Sequence, residues 1–436
     1  MKSMRSIGII GGGASGLMAA IAAARNRNAH VFLLEQNALA GKKILSTGNG
    51  RCNLTNEQMN AACYRSDDIE QVEAVLGSFG YEDTLRVFEQ LGLCFRSKGG
   101  YIYPFSNQAA AVRDVLLMET RRLGVEIRTE VCVSGISVAD PPQDCPSQKI
   151  FRISTNKGEF YADKAILSAG GKAAAKPGAA GRGYAIAQSF GHSLAPVVPA
   201  LVQLKVKGHP LAKAAGVRVD AKVTAFAGEE ALFSDTGEVQ ITSYGISGIP
   251  VFQISRYAAK ALYEKKPVRA ELDLLPETAE EELKELLLKR KMRNEKMEAA
   301  EYLTGIFHSK LIPELLRLAG ISPHVWMYKV TEEEIFRLAK VLKRTGLVIA
   351  DTNGFANAQV CAGGVRLREI DERTMESRLQ KGLYITGELL DADGMCGGYN
   401  LQWAWATGYM AGSFAAGIAA VGTAKETLKQ TKAQTM

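Results

Sequence analysis

The sequence has few of the residues that build metal centres and disulfide frameworks. Its 436 residues include seven cysteines, an odd number without a CxxC pair, and five histidines without the spacing of metal ligands. We therefore expect a reduced chain with neither a disulfide framework nor a metal site. The apolar run before the first glycines spans only four residues, which is too short for a signal peptide and predicts a cytoplasmic protein.

The sequence also lacks a large excess of one charge, and it has few long apolar runs. The formal net charge is +7 and the basic residues are scattered, which permits anionic ligands without favouring a nucleic acid as partner. Residues 394–424 carry no charge, but Asn400, Gln402 and many small residues make this stretch weakly apolar. It predicts a buried helix rather than a membrane span. We expect a small-molecule substrate and no membrane partner, and the oligomeric state stays open.

The start of the chain carries the pattern of a nucleotide-binding sheet. Residues 6–10 (SIGII) predict a short strand, which is followed by GGGASG and by the helical run LMAAIAAAR. Residues 30–35 (HVFLLE) predict a second strand that ends in an acid. This order of strand, turn, helix and strand is typical of the first unit of a dinucleotide-binding domain.

The glycine turn between that strand and that helix matches GxGxxG. Gly11 allows the tight turn, Gly13 lets a pyrophosphate approach the backbone, and Gly16 permits close packing of helix on strand. Glu35 stands where the fingerprint places an acid that accepts ribose hydroxyls, and it would repel a 2′-phosphate, so FAD or NAD is favoured over NADP. The contacts predicted here are Gly11, Gly13, Ala14, Ser15, Gly16, Glu35 and Gln36.

The segment GKKILSTGNGRCNLTN, at residues 41–56, favours FAD over NAD because it would lie further along the same extended dinucleotide. Its two lysines can neutralise a pyrophosphate, and its hydroxyl side chains and glycine amides can bind ribityl hydroxyls and flavin edge atoms. Arg51 and Asn53 supply donors near a ring that becomes anionic on reduction. The contacts predicted here are Lys42, Lys43, Ser46, Thr47, Gly48, Asn49, Arg51, Cys52 and Asn53.

The same segment resembles the signature of the bacterial HI0933-like flavoproteins, a family described as NAD(P)/FAD-dependent, aminoacetone-oxidase-like or bile-acid 4,6-reductase-like. Three later stretches agree with the resemblance, namely AILSAGG, GRGYAIAQSFGH and GLYITGELLDADGMCGGYNLQWAWATG. Ser168 stands where the family usually has threonine, and Arg182 replaces an acid. The resemblance runs nearly from end to end, and its first and last motifs are specific.

The resemblance implies an α/β fold, with a Rossmann-like FAD-binding domain of the two-dinucleotide type and two insertions. Period-two alternation after residue 195 indicates antiparallel strands, and the amphipathic runs within 277–345 indicate helices. We assign residues 1–194 and 355–436 to the FAD-binding domain. Residues 195–275 and 346–354 then form an inserted β-barrel domain, and residues 276–345 form a small inserted helical domain.

Further FAD contacts follow from the resemblance alone. Glu388 would bind the ribityl chain, and the uncharged helix that begins near Gly398 would point its positive end at the flavin pyrimidine ring. The contacts implied in this way are the Val131 backbone, Ala169, Gly170, Gly387, Glu388, Gly398, Tyr399, Asn400 and Leu401.

Other residues have weaker assignments. Arg51, Cys52 and Tyr399 are the candidates for catalysis, and no general acid or base stands out among them. We interpret Cys52 mainly as a packed side chain, since no partner cysteine is near it in the sequence. Ser106 is predicted to cap a helix that runs to Leu123, and His192 is predicted to cap a helix end. The prolines at 141, 142 and 146 predict an exposed loop.

The sequence predicts an FAD-dependent oxidoreductase that passes a hydride through flavin N5. The family resemblance includes reductases of conjugated C=C bonds in steroid-like acids, which we favour, with NAD(P)H as a transient electron donor. An aminoacetone-like amine oxidase that uses O2 is the alternative, because no second GxGxxG unit with a following acid is present. An RNA-modifying flavoenzyme is a third reading, which the scattered charge does not favour.

Overall fold

A computed structural model describes residues 5–139, 150–174 and 181–418. The predicted proline loop lies outside these residues. Within the described ranges, no helix is both long enough and apolar enough to cross a membrane.

Strands alternate with helices over the first part of the chain and recur near its end. The strands are β1 (Arg5–Ile10), β2 (Ala29–Leu34), β3 (Thr55–Asn56), β4 (Tyr64–Arg65), β5 (Phe95–Lys98), β6 (Tyr101–Pro104), β7 (Glu126–Arg128), β8 (Val133–Ala139), β9 (Ile150–Thr155), β10 (Gly158–Ala162), β11 (Lys164–Leu167), β12 (Leu194–Ala200), β13 (Leu204–Val206), β14 (Arg218–Ala227), β15 (Glu230–Ile241), β16 (Gly245–Gly248), β17 (Val268–Asp273), β18 (Thr345–Thr352), β19 (Val360–Val365), β20 (Leu383–Ile385) and β21 (Asp393–Gly394).

The helices range from one turn to nearly five. They are α1 (Ala14–Ala24), α2 (Ile69–Ser78), α3 (Tyr81–Gln90), α4 (Ala109–Arg122), α5 (Arg182–Ser189), α6 (Ile249–Tyr263), α7 (Glu280–Arg293), α8 (Ala299–Tyr302), α9 (Ile312–Leu318), α10 (Glu332–Lys343) and α11 (Tyr399–Ala415).

The chain divides into two compact units. The first unit comprises the residues up to 197 and those from 360 onward, and the second comprises residues 198–359. In the second unit, one hydrophobic core joins residues of the barrel strands with residues of α7, α9 and α10. The division of this insertion into a barrel domain and a helical domain, with the bounds given above, stays a prediction.

A five-stranded parallel sheet is the centre of the first unit. Its order is β20–β11–β1–β2–β7, and every neighbouring pair is parallel. The last four residues of β1 are buried, as expected for a short apolar strand covered on both faces. The carboxyl ends of the strands therefore meet at one edge, where open α/β sheets bind their ligands. The predicted Rossmann-like α/β class is confirmed.

Helices α1 and α11 pack against each other without charged side chains. A Cβ on Gly408 would lie 2.3 Å from the Ser15 carbonyl oxygen, and one on Gly412 would lie 2.2 Å from that of Ala19. The two backbones therefore approach more closely than any larger residue would allow. Most of α11 is buried, so the uncharged segment is a core helix over the part that the structure describes.

The second unit contains a closed antiparallel barrel of order β13–β16–β15–β14–β17–β18. The long hairpin β14–β15 forms its wall, as the period-two alternation predicts. Lys343, at the end of α10, holds Asp273 of β17 through an N–O distance of 2.6 Å. This ion pair anchors the helical segment to the barrel strand within the unit.

Two predicted helix ends have different outcomes. Ser106 is not the N-cap of α4, which begins after Gln108; its hydroxyl accepts a bond from the Gln108 amide at 3.3 Å. The Ser106 hydroxyl therefore closes a local turn ahead of the helix and does not cap the amides of its first turn.

After α5, the amides of Gly191 and His192 bind the carbonyls of Gln188 and Ala187, and Gly191 has φ 90°. This is a Schellman ending, so His192 does cap the helix.

Candidate functional site

The glycine turn between β1 and α1 has the geometry of a phosphate-binding turn. Gly11 has φ 102°, and a Cβ there would lie 2.4 Å from the Ser168 carbonyl oxygen. A Cβ on Gly16 would lie 1.9 Å from the Gly11 carbonyl oxygen, whereas one on Gly13 would meet nothing within 4 Å. The turn is therefore closed on its inner side and open in front of α1, where free amides and the helix dipole attract an anion.

Glu35 is held at the end of β2 with its carboxylate buried. One oxygen accepts a bond from the Gly12 amide at 2.7 Å, and the other accepts from the Asn37 amide at 2.7 Å. The Val131 amide donates to the Glu35 carbonyl at 2.9 Å, which brings the predicted Val131 backbone contact beside the acid. Gln36 is exposed next to it. The acid is thus fixed within reach of the glycine turn.

The segment 42–53 forms an irregular 3₁₀ stretch and a strained turn. Gly48, Asn49 and Cys52 all adopt left-handed backbone angles, with φ between 54° and 58°. The Cys52 amide closes the turn on the Thr47 carbonyl at 3.0 Å. Cys52 and Ile44 are buried, while most polar residues of the segment are exposed. The exposed residues of the segment are Lys42, Lys43, Ser46, Gly48, Asn49, Gly50 and Arg51.

Lys43 and Glu388 meet although 345 positions separate them in the sequence. Their side chains form an ion pair with an N–O distance of 2.6 Å. The other Glu388 oxygen accepts a bond from the Cys361 amide at 2.9 Å. A Cβ on Gly171 would lie 2.7 Å from that same oxygen. Two residues predicted from separate motifs thus share one network.

The ends of β11 and β20 lie side by side at the same edge of the sheet. Ser168 and Thr386 join them through a hydroxyl contact of 2.7 Å. Gly170 and Gly387 follow with φ 70° and 68°, conformations that favour glycine. Ala169 lies between Ser168 and Gly170, so the predicted contacts at 169, 170, 387 and 388 all follow the carboxyl ends of neighbouring strands.

The first turn of α11 is held by the residues that follow the turn at 47–52. Asn56 donates its side-chain amide to the Gly397 carbonyl at 3.0 Å. Thr55 donates its hydroxyl to the Gln402 side-chain oxygen at 2.7 Å. The first bond of the helical ladder runs from the Gln402 amide to the Gly398 carbonyl, at 2.9 Å. The amides of residues 399–401 therefore stay outside the ladder and face the start of the helix.

The three candidates for catalysis have different surroundings. Burial raises the pKa of the Cys52 thiol to about 11, so it is protonated at neutral pH and a poor nucleophile. Burial also raises the pKa of the Tyr399 phenol, which a hydrogen bond to Cys63 raises further. Arg51 is exposed, and its guanidinium lies 5.6 Å from the centre of the Tyr103 ring. Of the three, Cys52 has surroundings that argue against a chemical role.

Sequence reasoning missed the framework around these residues. Thr55, Asn56 and Gln402 carry no assigned role, yet they fix the start of α11 through buried polar contacts. The sequence marks Gln402 only as a polar residue in an uncharged stretch. A buried polar side chain in such a helix needs a partner, and the threonine and asparagine of the 41–56 segment were available signals. Cys361 contributes its backbone amide to the Glu388 carboxylate. Every residue except proline has such an amide, so the sequence gives no sign of this contact.

No group of three or more His, Cys, Asp or Glu side chains that could hold a metal ion occurs in the ranges that the structure describes. The site instead combines a glycine turn at a helix start, a buried acid, an exposed lysine paired with an acid, and a second helix start. These features define a dinucleotide-binding site of the Rossmann class.

A protein-family model agrees with this class, and three known proteins are similar to the chain. The model of the HI0933-like protein Rossmann domain matches residues 5–414. The 3-dehydro-bile acid delta(4,6)-reductase of Clostridium scindens is 55% identical over 95% of this chain and 99% of that protein. The ribosomal RNA dihydrouridine synthase of Haemophilus influenzae is 29% identical over 92% of this chain and 96% of that protein. A solved 3-ketosteroid delta1-dehydrogenase of Sterolibacterium denitrificans is 11% identical, with a TM-score of 0.49 over 95% of this chain and 100% of that chain.

The chain belongs to the HI0933-like family, as its motifs indicated. The predicted class of enzyme, a flavin-dependent oxidoreductase, is confirmed with it. The individual contacts to FAD and the catalytic residues stay predictions.

The residues at the carboxyl edge of the sheet are of the kinds that an FAD site requires. The open space in front of Gly13, the buried acid at Glu35 and the exposed Lys43 follow one another along the carboxyl edge of the sheet. Asn53, beside the start of α11, has a buried side-chain oxygen without a hydrogen-bond partner among the described residues. Protein atoms already cover this oxygen, so the fit to FAD rests on the glycine turn, the buried acid and the exposed lysine.

Proposed function

We propose that this chain is an FAD-dependent reductase of a conjugated C=C bond in a small steroid-like acid, with NAD(P)H as a transient electron donor. The observation that carries the proposal is the 55% identity to the Clostridium scindens reductase over nearly the whole of both chains. That relative is named for a 3-dehydro-bile acid and for the 4,6 positions. A C=C bond conjugated to a ketone is electron-poor and accepts a hydride.

Different residues of the first unit would bind different parts of FAD. The Gly11–Gly16 turn would hold the pyrophosphate, Glu35 would accept the ribose hydroxyls, and the Lys43–Glu388 pair would meet the ribityl chain. Bound FAD supplies hydride transfer at its N5 atom. The start of α11 would favour negative charge on the adjoining ring, because its free amides and dipole point there.

Tyr399 is the residue best suited to donate a proton or a hydrogen bond beside that ring. Burial raises the pKa of its phenol, so the protonated form persists well above neutral pH. It lies at the first position of α11, next to Gly398. Arg51 is exposed on the neighbouring segment and is suited to an anionic group of a substrate.

A second candidate function is reduction of a uracil base in RNA. The observation in its favour is the 29% identity to the Haemophilus influenzae ribosomal RNA dihydrouridine synthase. The uracil C5=C6 bond is likewise conjugated to a carbonyl, so the same flavin chemistry would serve both substrates. The reductase of a small acid takes precedence, because the identity to that relative is nearly twice as high.

The test uses the purified protein with its bound flavin under anaerobic conditions. Stopped-flow absorbance follows flavin bleaching after mixing with NADH or NADPH, and then reoxidation by three acceptors. The acceptors are a 3-oxo bile acid with conjugated 4,6 double bonds, a uridine-containing ribosomal RNA fragment, and O2. The same bile acid with a saturated ring is the matched control.

We expect bleaching by one nicotinamide and rapid reoxidation by the unsaturated bile acid, with slow reoxidation by O2 and none by the saturated acid. Faster reoxidation by the RNA fragment than by the bile acid would replace our proposal with the second candidate. A flavin that neither nicotinamide bleaches, but aminoacetone does, would replace it with the amine oxidase.

A further inference from the structure

A small sheet of the first unit, of order β3–β6–β5, carries exposed aromatic rings along its central strand. Tyr101, Tyr103 and Phe105 alternate there with residues that are buried. Side chains two positions apart lie on the same face of a strand, so these three rings share one face. Tyr101 is 41% exposed and Phe105 is 65% exposed. We call these three residues the aromatic strip.

Three cations lie on the same face as the aromatic strip. Arg96 and Lys98 of β5 are paired directly with the two tyrosines, so their side chains extend from that face. The Arg96 guanidinium lies 5.6 Å from the centre of the Phe105 ring. The Arg51 guanidinium lies 5.6 Å from the centre of the Tyr103 ring. All three cations are exposed.

These three cations have no carboxylate within ion-pair distance among the residues that the structure describes. The three strands contain no acid, and Glu57, which is exposed just after β3, does not reach them. Arg51 Nε donates to the Gly48 carbonyl at 3.5 Å, which leaves its charge in place. A ring beside a guanidinium likewise holds it without neutralising it. The face therefore suits a ligand that combines flat rings with several phosphate charges.

Both tyrosines of the strip border segments that are predicted to contact FAD. Tyr101 Cε1 lies 2.8 Å from the position that a Cβ would take on Gly397, just before the N-cap of α11. Tyr103 Cε1 lies 3.8 Å from the corresponding position on Gly48. The strip therefore begins beside the proposed ring site and leads away from it towards Phe105. A ligand that lies along the strip has one end next to the flavin.

We infer that the aromatic strip and its three cations bind the nicotinamide donor, and that they select NADPH over NADH. The inference rests on the proposed function and deepens it, because no second GxGxxG unit with a following acid offers the donor a site. A nicotinamide dinucleotide supplies two flat rings and a pyrophosphate, and NADPH adds a 2′-phosphate. The nicotinamide lies at the Tyr101 end, the pyrophosphate near Arg51, and the 2′-phosphate near Arg96.

The donor's chemistry favours it over other ligands for this face. The hydride leaves C4 of the nicotinamide and reduces the flavin at N5, so two electrons move and NADP⁺ remains. NADP⁺ then leaves the open face before the acceptor enters, so Arg51 serves the two in turn. A steroid-like acid with one carboxylate matches only one of the three charges. An RNA strand matches rings and charges but brings no hydride.

The test follows flavin bleaching in the FAD-bound protein by anaerobic stopped-flow absorbance. The dependence of the bleaching rate on the concentration of NADPH or NADH gives a dissociation constant and a limiting rate for each. Arg96→Gln removes one charge of the face, and Phe105→Ala removes one ring. Arg27→Gln is the matched control, because Arg27 is exposed just before β2, at the opposite edge of the parallel sheet from the glycine turn.

We expect the wild-type protein to bind NADPH roughly tenfold more tightly than NADH, the effect of one charge-assisted bond to a phosphate. Arg96→Gln should weaken NADPH about tenfold and NADH less than about threefold, which removes most of the preference. Phe105→Ala should weaken both about tenfold through lost stacking and keep the preference. Arg27→Gln should change neither. The limiting rates should stay within about twofold, because neither side chain touches the reacting atoms.

Equal affinity of the wild-type protein for NADPH and NADH, or an unchanged preference in Arg96→Gln, would overturn the inference and leave the proposed function intact. Variants that weaken the binding of a uridine-containing ribosomal RNA fragment or of the 3-oxo bile acid, but not of NADPH, would assign the face to that ligand and also overturn it. A wild-type flavin that neither nicotinamide bleaches would contradict the proposed nicotinamide-linked function itself. The two failures are therefore distinguishable.

Discussion

At the scale of single residues, burial decides which polar groups can do chemistry. Cys52 lies in a segment rich in predicted cofactor contacts, yet its side chain is fully buried. Burial raises the pKa of its thiol to about 11, so below that pH the thiolate is a minor form. Lys43 lies nine positions earlier and is exposed, so a ligand can reach it beside its partner Glu388. Position in a motif and availability for chemistry are thus separate properties.

Replacement of Cys52 by alanine tests this distinction. We expect kcat/KM to stay within about twofold of the wild-type value, because a protonated, buried thiol is not a nucleophile. The free energy of unfolding should fall by about 1–2 kcal/mol, because the side chain packs in the core. Steady-state kinetics and urea unfolding measure the two quantities.

Alkylation of the wild-type protein provides the control. At pH 8, iodoacetamide should modify Cys94, which is exposed, and leave Cys52 unmodified in the folded protein. Mass spectrometry of the digested protein reports both sites. Rapid modification of Cys52, or a hundredfold loss of activity in the alanine variant, would restore it as a candidate nucleophile.

At the scale of secondary-structure elements, the contact between α1 and α11 depends on glycine. A methyl group at Gly412 would overlap the Ala19 carbonyl oxygen, which cannot move without shifting α1. We expect Gly412→Ala to lower the free energy of unfolding by about 1–3 kcal/mol, the usual cost of overpacking. Because α1 begins at the glycine turn, FAD affinity should fall as well. Urea unfolding and flavin fluorescence measure the two effects.

Gly77 is the matched control for that substitution. It lies in α2, is exposed, and a Cβ there would meet nothing within 4 Å. Gly77→Ala should therefore raise the free energy of unfolding by about 0.5–1 kcal/mol, because alanine restricts the unfolded chain and favours the helix. Equal effects at Gly412 and Gly77 would contradict a special role for the α1–α11 contact.

The sequence predicted elements better than their ends. The first strand, the glycine turn and the second strand follow from local patterns, because a tight turn and a buried strand each leave a signature in a few residues. The Ser106 cap failed because serine can also bond its own backbone two residues on, and the sequence does not show which bond forms. The Lys43–Glu388 pair and the bonds that hold the start of α11 need the three-dimensional order of strands and helices. Only their residue types were predictable.

At the scale of the whole molecule, the predicted cofactor residues all belong to one of the two units. They lie before residue 197 or after residue 360, so the second unit contributes none of them. Each unit also has its own hydrophobic core. Binding of FAD should therefore stabilise the first unit directly. The barrel and its helices should gain no stability from contacts with FAD.

Removal of FAD tests this division. A ligand at 100 times its dissociation constant stabilises the state that binds it by about 2.7 kcal/mol. We expect hydrogen exchange in flavin-free protein to accelerate by roughly tenfold or more at the amides of α1 and of the start of α11, because these elements border the glycine turn and the proposed ring site. Exchange in α7 and α10, which belong to the second unit, is the internal control and should change less than twofold. Equal acceleration in α10 and in α1 would show that FAD contributes to the stability of both units and would contradict a cofactor site confined to the first.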